Sequence, residues 1–106
     1  MSFKRWSIYF AIVPHEDDPN QKERHPILVI NDQKAYILSY GMTSTNRGSL
    51  GTEYQLQYWK EAGLDHQTSV RLHRIIKISK SDIQEHVGEL QLADQLRITR
   101  KLQDML

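Results

Sequence analysis

Hydrophobic and polar positions along this chain alternate mostly at period two, which predicts several short strands and then one helix. Residues 4–13 put Trp6, Ile8, Phe10 and Ile12 on one face and Tyr9, Ala11 and Val13 on the other. A strand apolar on both faces is expected to be packed on both. Pro14 has no N–H to donate and should end it. Residues 14–23 read as a polar loop, longer than a tight hairpin needs. Residues 25–31 form a second strand, and Asn31-Asp32-Gln33-Lys34 supplies the chemistry of a hairpin turn. Residues 35–43 form a third strand, with Tyr36, Leu38, Tyr40 and Met42 on one face.

Residues 43–52, with two glycines and many hydroxyls, read as a second loop. Residues 53–58 alternate Tyr54, Leu56 and Tyr58 against Glu53, Gln55 and Gln57, the signature of a half-buried strand. Residues 58–62 fit one helical turn, ended by Gly63. Residues 68–79 give the longest strand signal, with Val70, Leu72, Ile76 and Ile78 on one face and Ser69, Arg71 and His73 on the other. Ser81 should open a short helix, with Gln84 completing a capping box. From Leu92 an amphipathic helix follows. Its wheel groups Leu92, Leu96, Ile98, Leu102, Met105 and Leu106 against Asp94, Arg97, Arg100, Lys101 and Asp104. The expected fold is mainly β (α+β): an antiparallel sheet curled into a small barrel, with a C-terminal helix.

Composition narrows the function classes. A chain of 106 residues supports one domain spanning 1–106 and one modest core. The net charge of +1 excludes nucleic-acid binding by bulk charge, so any polyanion site must come from local clustering of Lys and Arg. The chain has no cysteine, hence no disulfide and no thiolate zinc site. The longest apolar run, residues 8–13, is too short to span a bilayer, and residues 1–6 lack the apolar stretch of a signal peptide. The expectation is a cytoplasmic protein with no membrane contact.

Most catalytic motifs are missing. The histidines, His15, His25, His66, His73 and His86, show no metal-motif spacing, so no metal and no other cofactor is expected. Gly48-Ser49-Leu50-Gly51 is not a phosphate loop, and no Gly-x-Ser-x-Gly elbow occurs. What remains is a set of Arg, His and hydroxyl residues: Arg24, His25, Thr43, Ser44, Ser69, Arg71 and His73. A curled sheet can gather them, and they suit metal-free RNA cleavage. That reaction needs a base for the 2′-hydroxyl proton, an acid for the leaving 5′-oxygen and cations for the phosphorane charge. Histidine can serve as acid or base, arginine donates in pairs to phosphate oxygens, and Thr or Ser can donate to a non-bridging oxygen.

The order of several stretches resembles the PemK/MazF family of type II toxin–antitoxin toxins. They are Trp6 with the apolar strand to Val13; Arg24-His25-Pro26 before Ile27-Leu28-Val29-Ile30; and Met42-Thr43-Ser44. Trp59-Lys60-Glu61-Ala62-Gly63-Leu64, Ser69-Val70-Arg71-Leu72, Ile76-Lys77-Ile78 and Val87-Gly88-Glu89-Leu90 continue the series. The resemblance implies an SH3-like barrel, a homodimer, and an endoribonuclease that cuts single-stranded RNA without metal. It also implies a cognate antitoxin whose extended C-terminal segment occupies the RNA groove. On it, Arg24, His25, Thr43 and Ser44 are the candidate catalytic residues. The candidate RNA-binding residues are Ser69, Arg71, His73, Lys22, Arg47 and His15.

One position departs from the family, which carries arginine immediately before the proline. Here His25 stands there and Arg24 sits one residue earlier. Three outcomes are open: the backbone turns Arg24 inward, His25 carries the proton transfer, or cleavage is weakened or lost and the barrel acts as an RNA- or protein-binding module.

Overall fold

The computed structural model describes residues 2–15, 17–44 and 51–106. Within them, six strands make one antiparallel sheet: β1 (Ser7–Pro14), β2 (Lys22–Asp32), β3 (Tyr36–Thr43), β4 (Glu53–Gln55), β5 (Ser69–Ser79) and β6 (Ile83–Glu89). Helix α1 (Leu92–Asp104) follows. The strand order is β4-β5-β3-β2-β1-β6, so β1 to β3 form a meander, β5 lies outside β3, and β6 returns to β1. The expected mainly β architecture with a C-terminal helix holds. The expected barrel, however, is not closed, because β4 and β6 remain edges with no pairing between them among the described residues.

The sheet carries apolar side chains on both faces, as β1 predicted. Leu28 packs with Ile8, Met42, Val70, Leu72 and Ile98 in one core. Its neighbours Ile27 and Val29 pack with Val13, Ile37, Ile76 and Ile78 in the other. Adjacent strand residues point to opposite faces, so β2 serves both cores.

Along β5 the simple alternation fails. Val70 and Leu72 enter the first core, whereas Ile76 and Ile78 enter the second. The cause is a bulge: Gly41 pairs with Arg71, while the adjacent Tyr40 pairs with Ile75. Four steps of β5 therefore stand against one of β3, leaving Leu72, His73 and Arg74 as a surplus of three. An odd surplus inverts which face each later side chain meets.

The short helix expected at Ser81 is instead a three-residue 3-10 turn, Lys80–Asp82, leading straight into β6. No side chain caps it, and the Ser81 and Ser79 hydroxyls lie 3.0 Å apart. β6 has few apolar residues to announce it, and pairing with β1 supplies its order. Its Gly88 touches the turn that ends at Gly63. A Cβ on Gly88 would strike the Ala62 carbonyl, and one on Gly63 (φ 94°) would strike that of Val87.

Helix α1 begins where its pattern predicted, but its faces differ from the wheel. Leu92 and Leu96 are 67% and 62% exposed, whereas Asp94 is wholly buried. Asp94 takes the inward position because its carboxylate is fully hydrogen-bonded there, to the Tyr54 hydroxyl and the Gln57 and Tyr58 amides.

Candidate functional site

Two adjoining cavities open where the ends of β1, β2, β3 and β5 meet. The larger holds about 350 Å³ and is lined by His15, Glu23, His25, Thr43, Arg71 and Arg74 over an apolar floor of Val13, Ile27, Met42 and Ile76. The smaller, about 170 Å³, is lined by Phe10, Ser44, Leu64, Asp65, His66 and Thr68. His25, Pro26, Met42 and Thr43 border both, so the two form one groove divided at His25 and Thr43.

Strand register explains which side chains reach the groove. Glu23 pairs with Val13, His25 with Ala11, and Ile27 with Gly41, so these share one face. Arg24 lies between Glu23 and His25 and faces the other way. Its Nε donates to Gln84 Oε1 at 2.9 Å and its Nη2 to Glu85 Oε2 at 2.8 Å, with the guanidinium 4.0 Å from the Phe10 ring centre.

The Glu23 carboxylate bridges two histidines. Oε1 lies 2.8 Å from His15 Nε2, and Oε2 lies 3.1 Å from His25 Nε2. The hydrogen bond and charge of His15, then those of His25, hold the Glu23 carboxyl below the usual carboxylate range. All three side chains are partly open to solvent.

Across the larger cavity stand two arginines from β5. Arg71 is buried, with its Nε 3.5 Å from Glu53 Oε2, an ion pair longer than a good hydrogen bond. Its Nη2 is 3.3 Å from His73 Nε2. Arg74 donates from Nη2 to the Pro14 carbonyl at 3.0 Å, tying β5 to the end of β1. It crosses β3 at Gly41, where a Cβ would lie only 3.3 Å from Arg74 Cδ.

Of the residues singled out in the sequence, His15, His25, Thr43 and Arg71 line the larger cavity, and Ser44 joins His25 and Thr43 along the smaller. Ser69 stands opposite Thr43 in register but lines neither cavity. His73 is exposed beside Arg71, Lys22 pairs with Pro14 at the start of β2, and Arg24 is directed to β6. Arg47 lies outside the described residues. Sequence reasoning missed Glu23 and Arg74. Glu23 is two residues from His25 and hence on its face, a signal hidden by starting the strand at His25 rather than Lys22. Arg74 had no such signal, because the bulge alone brings it round. Among the described residues, no group of three His, Asp or Glu side chains is arranged so that it could hold a metal ion.

A family model described as the PemK-like, MazF-like toxin of type II toxin-antitoxin system matches residues 4–106. The chain belongs to this family. Its fold is that of three solved mycobacterial proteins. An endoribonuclease from a mycobacterial species superposes with a TM-score of 0.73 at 17% identity, covering 96% of this chain and 88% of that one. An endoribonuclease in complex with its cognate antitoxin, also from a mycobacterial species, gives 0.72 at 17% identity, over 92% and 88%. The Mycobacterium tuberculosis toxin MazF-mt6 gives 0.68 at 17% identity, over 91% and 93%. No curated protein sequence matches the chain. In this PemK/MazF-like toxin, then, the residue before the proline is a histidine that borders both halves of the groove. The neighbouring arginine is held at the sheet's far edge. No helix among the described residues is long and apolar enough to cross a membrane.

Proposed function

We propose that this toxin cleaves single-stranded RNA in the groove divided by His25 and Thr43, as a single-domain endoribonuclease that uses no metal ion. The observation that carries this reading is the convergence of His15, His25, Thr43, Arg71 and Arg74 on one cavity of about 350 Å³. An imidazole takes the 2′-hydroxyl proton as the 2′-oxygen attacks phosphorus. The bond from phosphorus to the 5′-oxygen breaks, and that oxygen receives a proton from a second acid. The guanidinium groups of Arg71 and Arg74 and the hydroxyl of Thr43 stabilise the charge on the non-bridging oxygens. Ser44, with Phe10 and His66 in the smaller cavity, meets the adjoining nucleotide, where an aromatic face can stack on a base.

Family membership and the solved likeness of an endoribonuclease with its cognate antitoxin support a cognate antitoxin as partner. The same membership supports a homodimer acting on mRNA in the cytoplasm. Purified protein incubated with mixed-sequence single-stranded RNA in EDTA should yield discrete fragments, and expression should arrest growth. The double variant His25→Ala/Arg71→Ala should lose both effects. Intact RNA with the unaltered protein, or full toxicity of the double variant, would remove the proposed site.

A further inference from the structure

We infer that Glu23 is a positioning residue that sets His15 and His25 as an acid–base pair for RNA cleavage. This rests on the endoribonuclease reading above. The geometry is specific: one carboxylate, with each oxygen engaged by a different imidazole through the same ring atom, Nε2, at 2.8 and 3.1 Å. An ionised carboxylate only accepts hydrogen bonds, so each Nε2 must carry a proton towards it. The Nδ1 atoms are then the nitrogens left to exchange protons with RNA. A carboxylate holding a catalytic imidazole in one tautomer is a general device of proton-transfer sites. Here it serves two imidazoles at once.

The pairing answers a need of the reaction. One neutral imidazole accepts the 2′-hydroxyl proton, the 2′-oxygen-to-phosphorus bond forms, and the bond to the 5′-oxygen breaks. The other imidazole, protonated, gives its proton to that oxygen. The anionic Glu23 between them stabilises whichever ring is charged at each stage. The neighbouring elements add the other charges of the cavity: Arg71 and Arg74 from β5, and Asp17 from the loop after β1. The histidine at the position before Pro26 is thereby supplied with a partner across the β1–β2 connection, without recourse to Arg24.

Single-turnover cleavage of a single-stranded RNA by the full chain tests this, together with the affinity for the same RNA carrying a 2′-deoxy nucleotide at the cut. Glu23→Gln keeps the side chain's shape but removes its charge. The Glu23 side chain is 53% exposed, so the variant should fold, and its melting temperature checks that it has. The cleavage rate should fall at least about tenfold, with affinity changed less than about twofold. In a His15→Ala background the same substitution should cost much less, because the pair it serves is already broken. An unchanged rate, a loss confined to affinity, or an equal loss in both backgrounds would overturn the inference while leaving the nuclease reading intact. Intact RNA with the unaltered protein overturns the nuclease reading, and the inference with it.

Discussion

The carboxylate of Asp94, wholly buried on α1, accepts a 2.6 Å hydrogen bond from the hydroxyl of Tyr54, 40 positions earlier in the chain. The same carboxylate accepts from the Gln57 amide at 3.1 Å and the Tyr58 amide at 2.9 Å. One side chain thus fastens the C-terminal helix to the segment that leaves β4. Its removal leaves a hydroxyl and two amides without their acceptor. Asp94→Ala should cost roughly 3 kcal/mol, read as a lower urea midpoint, by the penalty for buried groups that lose a charged partner. Asp94→Asn should recover little of it, since its NH₂ faces donors. A cost within the scatter of surface substitutions would show that α1 is held by Ile98 and Leu102 alone.

Tyr54 should respond at alkaline pH. Burial, and then the hydrogen bond to the Asp94 carboxylate, push its phenol from an ordinary 10.0 up to about 12. The folded state thus favours the protonated phenol. The stability this contributes is fully present below pH 10.0 and is lost as the pH rises through about 12. Ultraviolet titration should show one tyrosine ionising near the upper value, absent in Tyr54→Phe. That variant should also lose less stability than the unaltered protein across this interval.

Much of the architecture was legible because period-two alternation is local. The registers that place Leu28 in one core and Ile27 and Val29 in the other follow from it directly. What escaped depends on long-range pairing. The three surplus residues of β5 are set against Gly41, some thirty positions away, and no local pattern marks the point where the faces exchange. Asp94 was assigned outward for a related reason: a helical wheel scores it as polar and cannot see the hydroxyl and amides waiting for it. In the site, the neighbours of His25 were partly readable, since Thr43, Arg71 and His15, singled out by residue type, all line the same cavity. The partition of Arg24 from His25 follows from strand alternation alone. The polar partners that hold Arg24 come from β6, a strand whose sparse apolar content hid it.

Asp32 should make the fold sensitive to acid. Its Oδ1 pairs with Lys80 Nζ at 2.7 Å, and its Oδ2 accepts from the Phe3 amide at 2.9 Å. Lys80 first, and then the Phe3 amide, hold the carboxyl below its ordinary 3.8. The stability gained is present above 3.8 and disappears as the pH falls through the lower folded value. Glu23, lowered by His15 and His25, acts in the same direction. The urea midpoint should therefore drop steeply below the ordinary carboxylate range. Asp32→Asn should start lower at neutral pH and show a shallower drop. Parallel curves for the two proteins would remove Asp32 from the acid response.

The two arginines flanking the site should rank opposite to their distance in sequence from Pro26. Arg24 is adjacent to His25, yet its guanidinium lies on Phe10 and pairs with Glu85 at 2.8 Å at the sheet's far edge. That pair is exposed, so Arg24→Ala should cost no more than about 1 kcal/mol of stability. It should lower RNA cleavage less than about threefold, because Arg24 lines neither cavity and meets the groove only from behind the Phe10 ring. Arg74 is 49 positions after His25 but lines the larger cavity with His25 and Thr43, where a cation would meet the phosphate of a bound RNA. Arg74→Ala should lower the cleavage rate by about a hundredfold, the usual scale for removing one donor from a developing oxyanion. Arg74→Lys keeps the charge without the planar fork and should fall between. Single-turnover assays on the three variants decide the order. If Arg24→Ala proved the most damaging, Arg24 would have to leave Glu85 and turn into the groove when RNA binds, and His25 would no longer be the group that replaces the family's arginine.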